Sequence, residues 1–199
     1  MNRLKLANAI GEAILPILGL LFFDWGIYFI LLYYFIDLVV TEVFMYIKVN
    51  KIVQNQKINF PFSTRYGRLI VNSAIMFLVI IISHFAVYHI VPGIDFPYQI
   101  IEFLSYEEAG LPIPQGYILL PLVLLGNYQQ YNTMFIKTGL YQRQSWKNLI
   151  FSRRKALYIA TGGSLLAIIL SILIPIPGFV YVLGIVGVKF WIDLKISYE

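Results

Sequence analysis

The sequence predicts an all-α fold: a polytopic membrane helical bundle of six transmembrane helices, arranged as three hairpins in a single domain covering residues 1–199. The first observation is composition, because 59% of the residues are hydrophobic and only 13% are charged. Soluble domains are about 45–50% apolar and about 25% charged. The second observation is a series of six apolar segments, and the third is the distribution of basic residues between them. A water-soluble fold could not bury this much apolar surface.

The six apolar segments are the predicted spans. They run approximately over residues 6–23, 27–47, 69–91, 117–136, 156–174 and 179–192. A helix needs about 20 apolar residues to cross a bilayer. Residues 24–26 end in Gly26 and are predicted to form a tight turn, so the first two spans form a hairpin. Residues 175–178 contain two prolines and a glycine, so the last two spans are also predicted to form a hairpin. The sixth span is short, about 21 Å. It either crosses with Lys189 reaching back to the inner surface or is re-entrant.

The basic residues predict the orientation. With six spans, all fifteen lysines and arginines fall on one side of the membrane, and the connections on the other side carry acidic residues. Cytoplasmic loops are enriched in lysine and arginine. We therefore expect a multi-pass protein of the bacterial inner (plasma) membrane, with cytoplasmic N- and C-termini. The first segment contains Glu12 and lacks a signal-peptidase motif, so it is interpreted as a retained span.

Several classes of site are excluded by residue type. The chain has no cysteine, which excludes disulfides, thiolate metal sites and cysteine nucleophiles. No metal-binding motif, phosphate-binding loop or nucleic-acid module is present, so no metal, cofactor or nucleic-acid partner is expected. No catalytic constellation is apparent.

Two connections are predicted to form helices at the membrane surface. The segment Pro97–Ala109 is expected to form a short outer helix capped by Asp95. The segment Tyr141–Lys155 is expected to form a basic amphipathic helix on the inner surface. The residues predicted to contact anionic lipid headgroups are Trp146, Arg153, Arg154 and Lys155. A protein-docking surface is the alternative interpretation of this helix.

Carboxylates inside the first two spans are candidate functional groups, because an ionisable residue in a membrane is costly. Glu12 lies in the first span and Asp37 near the midplane of the second, with Thr41 on the same helical face as Asp37. No basic residue is placed deep enough to pair with Asp37, so we expect this carboxyl group to be mostly neutral. Glu42 lies on another face and is expected to reach the inner headgroups. The carboxylates are either hydrogen-bonded links between helices, a proton- or solute-binding site, or catalytic acids.

Polar residues in the third and fourth spans complete the candidate intramembrane site. His84 and His89 are about 140° apart on a helix and form no paired metal site. A hydrogen-bonded His84 in the bundle is favoured over a ligand-binding one. Asn127 belongs to the polar inner half of the fourth span, which either lines a wet cavity or packs through amide hydrogen bonds. The fifth span has small residues three or four apart that permit close helix approach, among them Ala156, Ala160, Gly163 and Ala167.

The first 50 residues carry a resemblance to a known family. The motifs are the segment 15–19 (LPILG), the segment 22–25 (FFDW), and the segment 31–34 (LLYY) followed by Asp37. They resemble an uncharacterised, domain-of-unknown-function family of small bacterial multi-pass membrane proteins. In that family the acidic residue is more commonly a glutamate followed by asparagine, whereas here Asp37 is followed by Leu38. The resemblance implies an apolar hairpin and no particular activity, because none is established for the family.

Three hypotheses for the function follow. The first is a non-enzymatic membrane component or accessory subunit, with a protein partner or a second copy of the chain. The second is a small-solute or proton-coupled transporter that uses intramembrane carboxylates. The third is an intramembrane lipid-modifying enzyme. A dry bundle favours the first, a cavity reaching Asp37 favours the second, and a lipid-sized groove where Asp37 and His84 converge favours the third.

Overall fold

The computed structural model describes residues 3–23, 25–59, 61–105 and 115–196. These residues form eight α-helices and one π-helical segment. The helices are α1 (Arg3–Phe22), α2 (Ile27–Asn55), α3 (Phe62–Ile90), α4 (Phe96–Ser105), α5 (Gln115–Gln130), α6 (Leu140–Arg143), α7 (Trp146–Leu173) and α8 (Gly178–Lys195), with the π segment Tyr131–Ile136 following α5. No strand occurs within the described ranges. The predicted all-α class is confirmed.

Three of the described helices, α2, α3 and α7, are long and apolar enough to cross a membrane. α2 has 29 residues with neither glycine nor proline, so it extends about 43 Å. α1 contributes a shorter apolar stretch, Ala9–Phe22. α5 and α8 have 16 and 18 residues. The fold is thus a helical bundle with membrane-spanning character, whereas the arrangement of six spans in three hairpins is not confirmed.

The long helices extend well beyond the predicted spans. α2 continues to Asn55 instead of ending at residue 47, α3 begins at Phe62 instead of residue 69, and α7 begins at Trp146 instead of residue 156. Hydropathy marks the apolar part of a helix, but backbone hydrogen bonding continues through lysine, arginine and glutamine, which are good helix formers. The boundaries taken from hydropathy were therefore too narrow at these ends of the three helices.

The predicted inner surface helix over Tyr141–Lys155 is wrong. The chain forms the short α6, breaks at Gln144 and Ser145, and starts α7, which runs without interruption through Lys155 and Ala156. Within this first part of α7, Trp146, Leu149 and Ile150 are buried in the protein interior. The amphipathic pattern was real, but its apolar face packs on protein instead of lying on a bilayer.

The segment predicted to form a helix on the outer surface is confirmed as a helix over the residues that the structure describes. α4 covers Phe96–Ser105, and the backbone N–H of Tyr98 donates to the Asp95 carboxylate at 3.1 Å, which is the expected cap. Residues 106–109 of the predicted helix lie outside the described residues.

Helices that are distant in sequence provide much of the packing. α3 packs along α7, where Asn72 donates to the Ile150 carbonyl oxygen at 3.1 Å and the hydroxyls of Ser83 and Ser164 lie 2.9 Å apart. α1 packs more extensively against α8 than against α2. α2 lies at the centre, because its residues contribute to three of the four hydrophobic clusters. This packing brings α1, α2 and α8 into contact with one another.

Candidate functional site

The most unusual feature of the bundle is an ammonium group surrounded by three carboxylates. The Lys189 Nζ atom of α8 lies 2.6 Å from Glu12 of α1 and 2.7 Å from Asp193, one turn further along α8. It also lies 3.4 Å from Asp37 of α2. We name these four residues the Lys189 cluster. Each side chain is between 12% and 32% exposed, so the group is largely shielded.

A hydrogen-bonded chain extends the Lys189 cluster to α5. The Asn127 side-chain amide donates to Asp37 at 3.1 Å, and its carbonyl oxygen accepts a hydrogen bond from the Thr41 hydroxyl at 3.1 Å. The same amide also donates to the Val123 carbonyl oxygen. The orientation of Asn127 is therefore fixed by both partners of its amide. Of the five residues predicted to form one intramembrane site, the structure brings together Glu12, Asp37, Thr41 and Asn127, but not His84.

The expectation that Asp37 has no basic partner is wrong. It rested on the idea that the Lys189 side chain reaches back to the inner surface. Instead, α8 packs beside α1 and α2, and the flexible stem of Lys189 carries its ammonium group to the carboxylates. An ion pair compensates part of the cost of holding a carboxylate in the membrane. The stated reason for a neutral Asp37 therefore no longer applies.

A second charged pair links α2 to α7. Arg153 donates from Nε to the Glu42 carboxylate at 3.1 Å and from Nη2 to the Leu38 carbonyl oxygen at 3.1 Å. The Ser73 hydroxyl of α3 donates to the other Glu42 oxygen at 3.3 Å. Both charged side chains are only 5% exposed. The predicted reach of Glu42 to the headgroups is therefore wrong.

The four residues predicted to contact headgroups differ in exposure. Trp146 and Arg153 are buried, so neither faces a headgroup. Arg154 is half-buried and donates to the Asn72 side chain at 2.9 Å and to the Arg68 carbonyl oxygen at 3.2 Å. Lys155 alone of the four is exposed. Consecutive basic residues point in different directions around a helix, so a run of three cannot all face the same surface.

A cavity of about 650 Å³ lies beside the Lys189 cluster. All four members of the cluster line it, together with Thr41 and Asn127. On one side it extends to Lys48 and Thr138, and on the other to Leu170 and Ile176. We name it the central cavity. Its size is within the range of small-molecule sites, about 300–1,000 Å³.

Small residues of α7 leave room for this cavity. Ala156, Ala160, Gly163 and Ala167 line it along successive turns. The expected close helix approach occurs at Gly163, where a Cβ atom would lie 3.6 Å from the Val188 side chain of α8. Elsewhere along this face, the short side chains contribute to the cavity wall.

Two tyrosine hydroxyls are buried at the cavity without a hydrogen-bond partner among the described residues. Tyr34 of α2 is 5% exposed and Tyr181 of α8 is 6% exposed, and both line the central cavity. A buried hydroxyl normally finds a partner, because leaving it unpaired costs about 1–3 kcal/mol. Both residues contribute to the cavity wall, but their hydroxyl oxygens have almost no accessible surface and are enclosed by the protein.

His84 belongs to a different part of the bundle. Its Nε2 atom lies 2.7 Å from the Tyr28 hydroxyl, and its Nδ1 atom lies 2.8 Å from the Ile80 carbonyl oxygen. Its ring also stacks on Phe35 at a centroid distance of 5.0 Å. His84 does not line the central cavity. The prediction of a hydrogen-bonded histidine in the bundle agrees with these contacts.

Sequence reasoning missed Lys189 and Asp193 as site residues. One signal was present, since the two are separated by four residues, the spacing of an ion pair on a helix. What hid them was their position at the inner end of the last apolar segment, where charged residues usually reach water. The partnership of Arg153 with Glu42 had no sequence signal, because 111 positions separate the two residues.

No group of three or more histidine, aspartate or glutamate side chains in the described residues is arranged to hold a metal ion. Taken together, the long apolar helices and the buried charged residues define a helical membrane protein with a polar centre. No protein-family model, curated protein or solved structure matches the chain.

Proposed function

We propose that this protein is a small membrane carrier in which the Lys189 cluster binds and releases protons while the central cavity holds a solute. The observation that carries the proposal is the convergence of three carboxylates on one ammonium group at a cavity wall. A dry, fully packed bundle would favour a purely structural component. A cavity that reaches Asp37 favours a binding function.

The charge balance of the cluster supports proton binding. With every group ionised, three carboxylates and one ammonium leave a formal charge of −2. Uncompensated charge is costly in a low-dielectric interior. Two protons, or one proton and one other cation, neutralise the cluster. Binding of these cations is therefore linked, which is the requirement for coupled transport.

We further propose that all six apolar segments cross the bacterial inner membrane, with both termini in the cytoplasm. The basic residues of the connections then lie on the cytoplasmic side, next to anionic lipid headgroups. Arg143, Lys147 and Lys155 are exposed and suited to this contact. In this orientation the central cavity extends from Lys48 near the cytoplasmic side toward Ile176 near the outer side.

Infrared difference spectroscopy of the protein in lipid nanodiscs, titrated between pH 5 and pH 9, tests the proton-binding step. We expect the band of protonated carboxyl groups to appear as the pH falls and to shrink in Glu12→Gln, Asp37→Asn and Asp193→Asn. The matched control is Glu102→Gln, which removes a carboxylate that does not line the cavity. An equal band in the wild type and all three cluster variants would contradict the proposal.

A non-enzymatic accessory role is the second candidate, and the linkage of helices by charged side chains favours it. Lys189 connects α8 to α1 and α2, and Arg153 connects α7 to α2. If these groups are only structural, the neutral variant Asp37→Asn changes stability but no property that depends on proton binding. The titration above therefore separates the two candidates.

A further inference from the structure

The central cavity combines surplus negative charge with mostly apolar walls. The Lys189 cluster provides the carboxylates at one level of the cavity. Toward the end marked by Ile176, the cavity is lined by apolar residues such as Leu166, Leu170 and Val180. A ligand that complements both parts has a positive charge and a hydrophobic body.

We propose that the central cavity binds an amphipathic amine, a hydrophobic molecule with a protonated amino group. The ammonium group of the ligand is held by the carboxylates that Lys189 leaves uncompensated, with Asp37 as the main contact. The hydrophobic body lies between α7 and α8. This inference rests on the proposed function and specifies the solute of that same cavity.

The contacts of Lys189 support this choice of ligand chemistry. Its own ammonium group, on an apolar stem, lies 2.6 and 2.7 Å from two carboxylates. A free alkylammonium group presents the same charge and the same donors. Because protons neutralise the same carboxylates, protons and amine compete, and the coupling takes the form of exchange.

The test uses 1-adamantylamine and 1-adamantanol, which share one hydrophobic body and differ in charge. An alkylammonium group titrates near the lysine value of about 10.4, so this amine stays charged between pH 5 and pH 8. Calorimetric titration of the full chain in nanodiscs, corrected with empty nanodiscs, measures binding. We expect the amine to bind at pH 8 about tenfold or more tightly than the alcohol. Its affinity should fall about tenfold toward pH 5.

Variants locate the site. Asp37→Asn should weaken amine binding about tenfold or more, whereas the control Glu102→Gln should leave it unchanged. Asp193→Asn removes another carboxylate of the Lys189 cluster at the cavity wall and should weaken amine binding in the same direction. If Asp37→Asn fails to fold, Asp193→Asn decides the result.

Equal affinities for amine and alcohol, no binding of the amine, or an affinity unaffected by folded Asp37→Asn would each overturn the inference. The infrared titration distinguishes a failure of the amine inference from a failure of the proposed function. Proton binding by the cluster without amine binding would reject the amine alone. Amine binding without any proton binding would leave the cavity ligand correct and reject proton-coupled transport.

Discussion

The Arg153 guanidinium of α7 donates to the Glu42 carboxylate of α2 at 3.1 Å, and both side chains are only 5% exposed. A charge buried this deeply depends on its partner, because removing one member of a buried pair leaves the other uncompensated. The Leu38 carbonyl oxygen and the Ser73 hydroxyl add further hydrogen bonds to Arg153 and Glu42, respectively. The pair therefore holds α2, α3 and α7 in one arrangement.

Removing Arg153 should strongly destabilise the bundle. We expect Arg153→Met to cost about 3–5 kcal/mol, the range for breaking a buried ion pair, and Arg153→Met with Glu42→Leu to recover much of this loss. The melting temperature in detergent measures both effects. Lys155→Met is the matched control, since Lys155 is exposed two positions further along α7. A melting temperature of Arg153→Met equal to that of the control would contradict a stabilising pair.

Removing Lys189 should make stability depend on pH. In Lys189→Met the three carboxylates lose their ammonium partner, so their mutual repulsion is greatest at high pH, where they are ionised. Protonation relieves this repulsion, and the stability deficit relative to the wild type should therefore shrink as the pH falls. At pH 8 we expect a deficit of about 1–3 kcal/mol, between surface and fully buried pairs.

Melting temperatures of Lys189→Met and wild type from pH 5 to pH 9 give the measurement. Lys195→Met removes an exposed lysine of the same helix and should show no such trend. A deficit that is constant across this pH range would mean that repulsion between the carboxylates is not the cause.

Two glycines of α5 should respond in opposite directions to alanine. A Cβ atom at Gly116 would lie 2.6 Å from the Phe103 carbonyl oxygen, so Gly116→Ala forces α4 and α5 apart at a cost of about 1–3 kcal/mol. Gly126 has open space around it, and Gly126→Ala should be neutral or stabilise by up to about 1 kcal/mol through helix propensity. Gly116→Ala should melt below the wild type and Gly126→Ala at or above it, and the reverse order would show that α4 does not pack on α5 in this way.

The proposed orientation is testable by cysteine labelling, because the chain has no cysteine of its own. Ser105→Cys should react in intact cells with a membrane-impermeant reagent, whereas Ser145→Cys and Lys195→Cys should react only after the membrane is opened. All three positions are exposed, so burial does not explain a lack of labelling. Labelling of Ser145→Cys in intact cells would reverse the orientation, and labelling of Lys195→Cys alone would mean that α8 does not cross.

Residue types and their positions along the chain are enough to predict the class of fold and half of the site. Apolar composition and helix-forming residues dictate long membrane helices whatever their packing. The cost of a polar group in a membrane identified Glu12, Asp37, Thr41 and Asn127, because that cost depends only on residue type and depth.

Which charged residues form pairs depends on how the helices pack. Glu12 and Lys189 are 177 positions apart, and Glu42 and Arg153 are 111 apart. No local pattern encodes such a pair, because it forms only when α8 packs beside α1 and α7 packs beside α2. The same packing turned Trp146 and Arg153 from expected lipid contacts into interior residues. The apolar face of an amphipathic helix is removed from water in either case. Whether lipid or protein contacts that face depends on which helices lie next to it.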